Sequence, residues 1–149
     1  MLIRLLTLDD AALLQQTPDD VFDDPVVANR AVDVLQDPRH HVAAAIDGGR
    51  IIGFASAVHY LHPDKRQPEL WINEVGVAAE FRRQGIARAL LQRLQQLAFE
   101  QDCSDVWVLT DRGNTAAMQL YGSIPDAQCE DAVLFTLPPR PQKFASDLS

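Results

Sequence analysis

Hydrophobic positions along this chain switch repeatedly between short apolar runs and a spacing of three and four residues, the pattern of alternating strands and helices. Residues 2–7 predict a first strand, and Asp9 or Asp10 is placed to cap a short helix through Gln15. Residues 19–24 read as an acidic loop. Asp24 followed by Pro25 then supplies an N-cap and a first helical position, with Val26, Val27, Ala31, Val34 and Leu35 on one face up to a stop at Asp37-Pro38.

Residues 41–46 and 51–58 are apolar runs joined by Asp47-Gly48-Gly49-Arg50, the signal of a two-residue turn between antiparallel strands. Residues 60–68 hold two prolines and several charges and predict an exposed loop, after which 70–77 return to strand. The longest predicted helix is 83–101, where Ile86, Leu90, Leu94, Leu97 and Ala98 recur at helical spacing. Residues 106–109 predict a short buried strand, 115–121 a short helix, 133–136 a last strand, and 138–149 a loosely held Pro-rich tail. A strand, a long helix and a second strand parallel to the first make a right-handed crossover unit. The fold class is therefore α/β: a mixed, mostly antiparallel sheet with a central parallel strand pair and helices on both faces.

The length of 149 residues fits one domain, 1–149, and 47% hydrophobic with 23% charged residues suffices for a real core. Thirteen Lys and Arg against 21 Asp and Glu give a net charge of -8, which argues against a polyanionic partner such as nucleic acid and favours cations. No basic region precedes a long apolar stretch at the N-terminus, and no apolar run approaches the ~20 residues that span a bilayer. Cys103 and Cys129 are the only cysteines, so reduced thiols and a cytoplasmic location are expected.

Between the strand ending at Val77 and the long helix lies Phe81-Arg82-Arg83-Gln84-Gly85-Ile86-Ala87-Arg88. Basic residues crowd a helix start there, and Gly85 and Ala87 let a phosphate approach unpaired backbone N–H groups. From charge alone, an ordinary basic first turn on an exposed helix reads the same way.

The order strand, Arg82-Arg83-Gln84-Gly85-Ile86-Ala87, apolar helix, strand, Asn114 and Leu120-Tyr121 resembles the GNAT superfamily of acetyl-coenzyme A dependent N-acetyltransferases. The resemblance implies that the pantetheine arm of acetyl-coenzyme A pairs with the backbone of Val75, Gly76 and Val77. It also implies that the pyrophosphate rests on N–H groups of Arg83, Gln84, Gly85, Ile86 and Ala87, with Arg82, Arg83 and Arg88 as partners for phosphate charge. Asn114 stands where family members contact the cofactor near its acetyl end, and helix capping is its alternative role. Tyr121 matches the tyrosine that protonates the departing thiolate, while a tyrosine on a short amphipathic helix also serves as a core residue.

An amine must reach a thioester unprotonated, so a carboxylate or an ordered water has to accept its proton. Glu74, one residue before the cofactor-pairing segment, is the candidate base or amine holder, and an exposed strand Glu is the alternative. Asp111 is placed to hold a second amino group. Within the superfamily, residues 72–77, 82–87, Thr110-Asp111 and Leu120-Tyr121 resemble type I aminoglycoside 3-N-acetyltransferases. That resemblance implies a cationic small-molecule acceptor, and the acidic loop and net charge agree with it. Other acceptors of the same chemistry are a polyamine, an amino acid or a protein amine; a non-catalytic acetyl-coenzyme A sensor is the reading from another class. Homodimers are common among relatives, and the pattern names no interface.

One departure stands out. Gly122-Ser123-Ile124-Pro125 follows Tyr121 directly, and Pro125 prevents the helix from continuing. His40 with His41 and His59 with His62 form no metal constellation with either cysteine, so no metal is expected. Cys103 reads as a small buried residue, and Trp71 and Trp107 as packing residues within strands.

Overall fold

A computed structural model describes residues 1–142. Five strands form one sheet in the order β1 (Leu2–Leu5), β2 (His40–Asp47), β3 (Arg50–His62), β4 (Lys65–Val77) and β5 (Asp105–Val108). The first four are antiparallel neighbours, and β4 and β5 are parallel. Among the described residues, four α-helices accompany them: α1 (Ala11–Gln15), α2 (Ala28–Gln36), α3 (Ile86–Glu100) and α4 (Thr115–Gly122). One buried cluster joins α3 to the sheet through Ile86, Leu90 and Leu94 against Ala43, Ala55, Ala57 and Ile72. A second joins α1 and α2 through Leu14 and Ala31 to Ala44 and Ile51. Ala43 and Ala44 are adjacent in β2 and face opposite sides, so the two clusters lie on opposite faces of the sheet. Among the described residues, no helix is long and apolar enough to cross a membrane.

The β2–β3 hairpin is as its turn signal demanded: Asp47 pairs with Arg50, and Gly48 and Gly49 take φ of 58° and 76°, which side chains disfavour. The loop expected at 60–68 is instead strand. His62 pairs with Lys65 across a tight turn at Pro63-Asp64, and the polar residues find cross-strand partners: His62 Nε2 lies 2.6 Å from Glu69 Oε2, and the Trp107 indole N–H donates to the Tyr60 hydroxyl at 3.0 Å. Charges at the solvent end of a hairpin do not oppose pairing. The parallel pair lies at one edge of the sheet and not at its centre, because 133–136 form no strand and, among the described residues, nothing pairs with the outer side of β5.

Helix starts differ from the pattern. The second helix begins at Ala28, not at Pro25, and Asp24 does not cap it. Pro25 biases Asp24 toward extended backbone, and Phe22 and Val26 pack inward on the core, which holds this stretch off the helix. Val27, expected on the buried face, is 60% exposed. The carboxylate of Asp10 is taken by Arg4, in two bonds of 2.7 Å, and by the Thr7 N–H, so it does not cap α1. Helix α3 starts at Ile86 instead of Arg83, since Arg83 and Gly85 both have positive φ. Of the expected tail, 138–142 carry no helix or strand, and 143–149 lie outside the described residues.

Candidate functional site

Strand β4 has one extra residue at Asn73: Glu74 pairs with Ser56 and Ile72 with Ala57, leaving Asn73 unpaired in the register. Such a bulge bends the strand that carries it. Pairing between β4 and β5 stops at the same place, at Ile72 with Val108. Beyond it, among the described residues, Val75, Gly76 and Val77 pair only with Ala55, Phe54 and Gly53 of β3. Their other edge is open, and an extended ligand with amide groups has backbone to pair with there.

After β4 the chain makes a short turn, residues 79–81, and enters α3 through Gly85, whose φ of 78° makes it a left-handed N-cap without a side-chain bond. The first bond of the helix runs from Ala89 N–H to Gly85 C=O, so the N–H groups of Ile86, Ala87 and Arg88 are free of helix partners. Apart from its immediate chain neighbours, no described residue comes within 4 Å of where a Cβ of Gly85 would stand, which leaves room for a group to approach the backbone. Arg82 folds back, Nε donating to the Val77 C=O at 3.1 Å, and so ties the loop to β4. Arg83 and Gln84 are exposed, and Arg88 donates to Ser123 Oγ at 3.3 Å, linking α3 to the end of α4.

The acidic loop is pinned to one face of β4 at Gly76. Gly76 is needed because a Cβ there would lie 2.1 Å from the Val21 carbonyl oxygen and 2.9 Å from Phe54. Val21 is buried, Phe22 stacks on Phe54 with ring centroids 3.7 Å apart, and Asp20 accepts the Ala79 N–H at 2.8 Å. The pinned loop brings Asp23 and Asp24 to a cleft of about 680 Å³ whose other walls include Asn73, Glu74, Ser56 and Val42. Val42, Ser56 and Glu74 are cross-strand partners and share a face of the sheet. Glu74 is exposed on the cleft wall, where partial desolvation raises its pKa and the negative charges of Asp23 and Asp24 raise it further. A cleft with three carboxylates attracts cationic amines, and a carboxylate with a raised pKa is the better proton acceptor among them.

Tyr121 lies on α4, half-buried against the main core. Burial raises its pKa, so the phenol keeps its proton at neutral pH, and the hydroxyl makes no hydrogen bond within the described residues. Asn114 caps α4, its Oδ1 accepting the Ala117 N–H at 3.1 Å. Asp111 is exposed on the loop after β5, and its carbonyl accepts the Asn114 N–H. Helix α4 ends at Gly122, two residues before the Ile124-Pro125 peptide. Cys103 is half-buried against the core with its pKa raised by burial, a protonated packing thiol. Among the described residues, no group of three His, Cys, Asp or Glu side chains is placed to hold a metal ion.

Two features had no counterpart in the sequence pattern. His41 and His59 stack and share a 2.7 Å bond between Nε2 and Nδ1, and burial with the neighbouring His59 and His40 pushes the pKa of His41 down to about 4. The placement of Asp23 and Asp24 beside Glu74 is the other; the acidic run signalled the loop, and nothing in it signalled β4 as its destination.

Residues 4–123 match the Acetyltransferase (GNAT) family. Similar proteins include N-acetyltransferase family 8 member 2 of Rattus norvegicus, 31% identical over 77 residues, covering 52% of this chain and 34% of that protein. Another is aminoglycoside N(6')-acetyltransferase type 1 of Serratia marcescens, 27% identical over 108 residues, covering 69% and 73%. The chain spans about a third of the length of the N-acetyltransferase 8 relatives that it matches. An aminoglycoside acetyltransferase from an uncultured soil metagenomic sample, solved in complex with sisomicin, has the same fold, with a TM-score of 0.82, 20% identity, and coverage of 93% of this chain and 96% of that one. The aminoglycoside enzyme among the relatives acts at the 6' nitrogen by its name, not at the 3 position that the sequence motifs resembled. With 120 of its 149 residues inside the family match, the chain belongs to the acetyltransferase (GNAT) family.

Proposed function

We propose that residues 1–149 act as one acetyltransferase domain in the cytoplasm, transferring acetyl from acetyl-coenzyme A to a primary amine of a polycationic small molecule such as an aminoglycoside. The observation that carries this reading is the cleft in which Asp23, Asp24 and Glu74 converge, Glu74 directly preceding in sequence the segment of β4 that β5 leaves unpaired. The 3-amino group and the 6'-amino group are both candidates for the acetylated position. Polyamines, amino acids and protein amines are the rival acceptors.

Bound acetyl-coenzyme A supplies an activated acyl group whose sulfur leaves as a thiol. The backbone of Val75, Gly76 and Val77 holds its amide-bearing arm, and the free N–H groups at the start of α3 hold its pyrophosphate, with Arg83 and Arg88 adding charge. Asn114 serves chiefly as the cap that sets the direction of α4. Asp23, Asp24 and Asp111 draw and orient a cation with several amino groups. Glu74 accepts the proton that the attacking amine releases, and Tyr121 donates one to the departing sulfur. No covalent intermediate on the protein is required.

The test is Tyr121→Phe, followed by acetyl-coenzyme A titration and steady-state turnover. A general acid is worth about 10²–10⁴ in rate, so kcat falls by that range while cofactor affinity stays within twofold. Equal turnover by the variant contradicts the role of Tyr121. Binding of acetyl-coenzyme A with no turnover toward any amine supports a sensor instead.

A further inference from the structure

Trp71 and Trp107 are the two tryptophans of the chain, and neither belongs to a core cluster. They stand in register on adjacent strands and stack on each other, with ring centroids 5.3 Å apart and planes 10° from parallel. The Tyr60 hydroxyl accepts the Trp107 indole N–H, His62 meets the Tyr60 ring edge to face with centroids 5.2 Å apart, and Glu69 holds His62 in turn. Three strands thus contribute one chain of rings, each braced by the next, which ends in Trp71, 38% exposed. A core that these rings do not enter has no need of such bracing. A ring fixed in one orientation before anything binds loses little freedom on binding.

The rings share a face of the sheet with the acidic cleft. Trp71 pairs with Val58 and Glu74 with Ser56, two positions apart on β3, so Trp71 and Glu74 point to the same side in rows about 7 Å apart. The next row holds Tyr60, Glu69 and Asp105. Across these three rows of β3, β4 and β5 the charged side chains are Asp105, Glu69 and Glu74, all acidic. The buried cluster beneath α1 and α2 reaches the sheet at Ala44 and Ile51 of β2 and β3 and includes no residue of β4 or β5. An indole face attracts ammonium groups and covers the apolar face of a ring, and carboxylates beside it select for cations.

We infer that Trp71, backed by Trp107 and Tyr60, forms a second acceptor subsite. An aminosugar ring of the acceptor, other than the one being acetylated, lies on the indole with its ammonium groups toward Asp105 and Glu69, while the reacting amine reaches Glu74. This rests on the acceptor class proposed above and adds to it a preference for acceptors of at least two linked rings over single-ring and ringless amines.

Both tryptophans lie in this pair, so the intrinsic fluorescence of the full chain reads the subsite without a label. Sisomicin, deoxystreptamine and spermidine are titrated against it, and their acetylation is followed for the wild type, Trp71→Phe and Trp71→Ala. The expected result is a saturable change in wild-type emission with sisomicin. In Trp71→Ala the ratio of kcat/KM for sisomicin over deoxystreptamine falls by about 3- to 30-fold, carried by KM, and Trp71→Phe retains most of the preference. The wild-type titration decides the matter even where Trp71→Ala does not fold. Turnover of sisomicin without a change in wild-type emission, or no better than that of deoxystreptamine, or with a preference that survives Trp71→Ala, overturns the inference and leaves the acceptor class standing. An equal emission change with spermidine does the same. No turnover of either ring-bearing amine overturns both.

Discussion

Gly76→Ala tests the contact that places the acidic loop. The new Cβ would stand 2.1 Å from the Val21 carbonyl oxygen, against the 3.4 Å at which ordinary contact begins, so the loop backbone must retreat by about 1.3 Å. Little around it can yield. Val21 is 5% exposed, Phe22 is stacked on Phe54, Phe54 itself lies 2.9 Å from the same Cβ, and Asp20 is bonded to Ala79. Overpacking of this kind costs about 1–3 kcal/mol. Detachment of the loop instead would re-expose Val21 and Phe22, at about 1.5–3 kcal/mol for each side chain fully exposed. Both routes lower stability, and both move Asp23 and Asp24 relative to Glu74. Urea unfolding should show a loss of about 1–3 kcal/mol, and steady-state kinetics a rise of several-fold in KM for the amine that exceeds any rise for acetyl-coenzyme A. Unchanged stability together with an unchanged amine KM would refute the reasoning, because it would mean that the loop is not held by this contact.

The remaining predictions concern protons. Asp23 and Asp24 help to raise the pKa of Glu74, so replacing both by Asn moves the acidic limb of the kcat/KM profile to lower pH, while the amine KM rises; a limb that stays in place contradicts Glu74 as the base. His41 titrates near 4 in the folded chain and near 6.5 unfolded, so the unfolded state takes up its proton first and stability falls as pH drops from 6.5 toward 4. His41→Gln should flatten that decline in thermal melts across the interval, and an equally steep decline would show that the stacked pair is not its source.

The proposed cofactor side of the site is legible as a unit because its parts are contiguous: one strand end, one loop and one helix start within 75–88 carry their own local signals. The β2–β3 hairpin was equally plain, since Gly48-Gly49 states the turn chemistry in two letters. The acceptor side was legible only as charge. Asp23 and Asp24 reach Glu74 across fifty positions of sequence through the contact of Gly76 with Val21, and a close backbone approach leaves no periodicity to detect. The hairpin end at 60–68 looks like a loop in sequence because solvent-facing strand residues pair as well when they are polar, and Pro63 marks a turn within the hairpin, not a long loop. Residues 133–136 have strand propensity without a partner in the single chain, which local pattern does not reveal.

The central claim is that this acidic cleft receives a polycationic amine for acetylation. Its most direct test is release of free thiol from acetyl-coenzyme A with aminoglycosides, polyamines, amino acids and short peptides in parallel, with the acetylated position assigned in any product. The account predicts turnover with aminoglycosides that Asp23→Asn with Asp24→Asn reduces mainly through the amine KM. Efficient turnover confined to amino acids or peptides, and insensitive to those two substitutions, would contradict it.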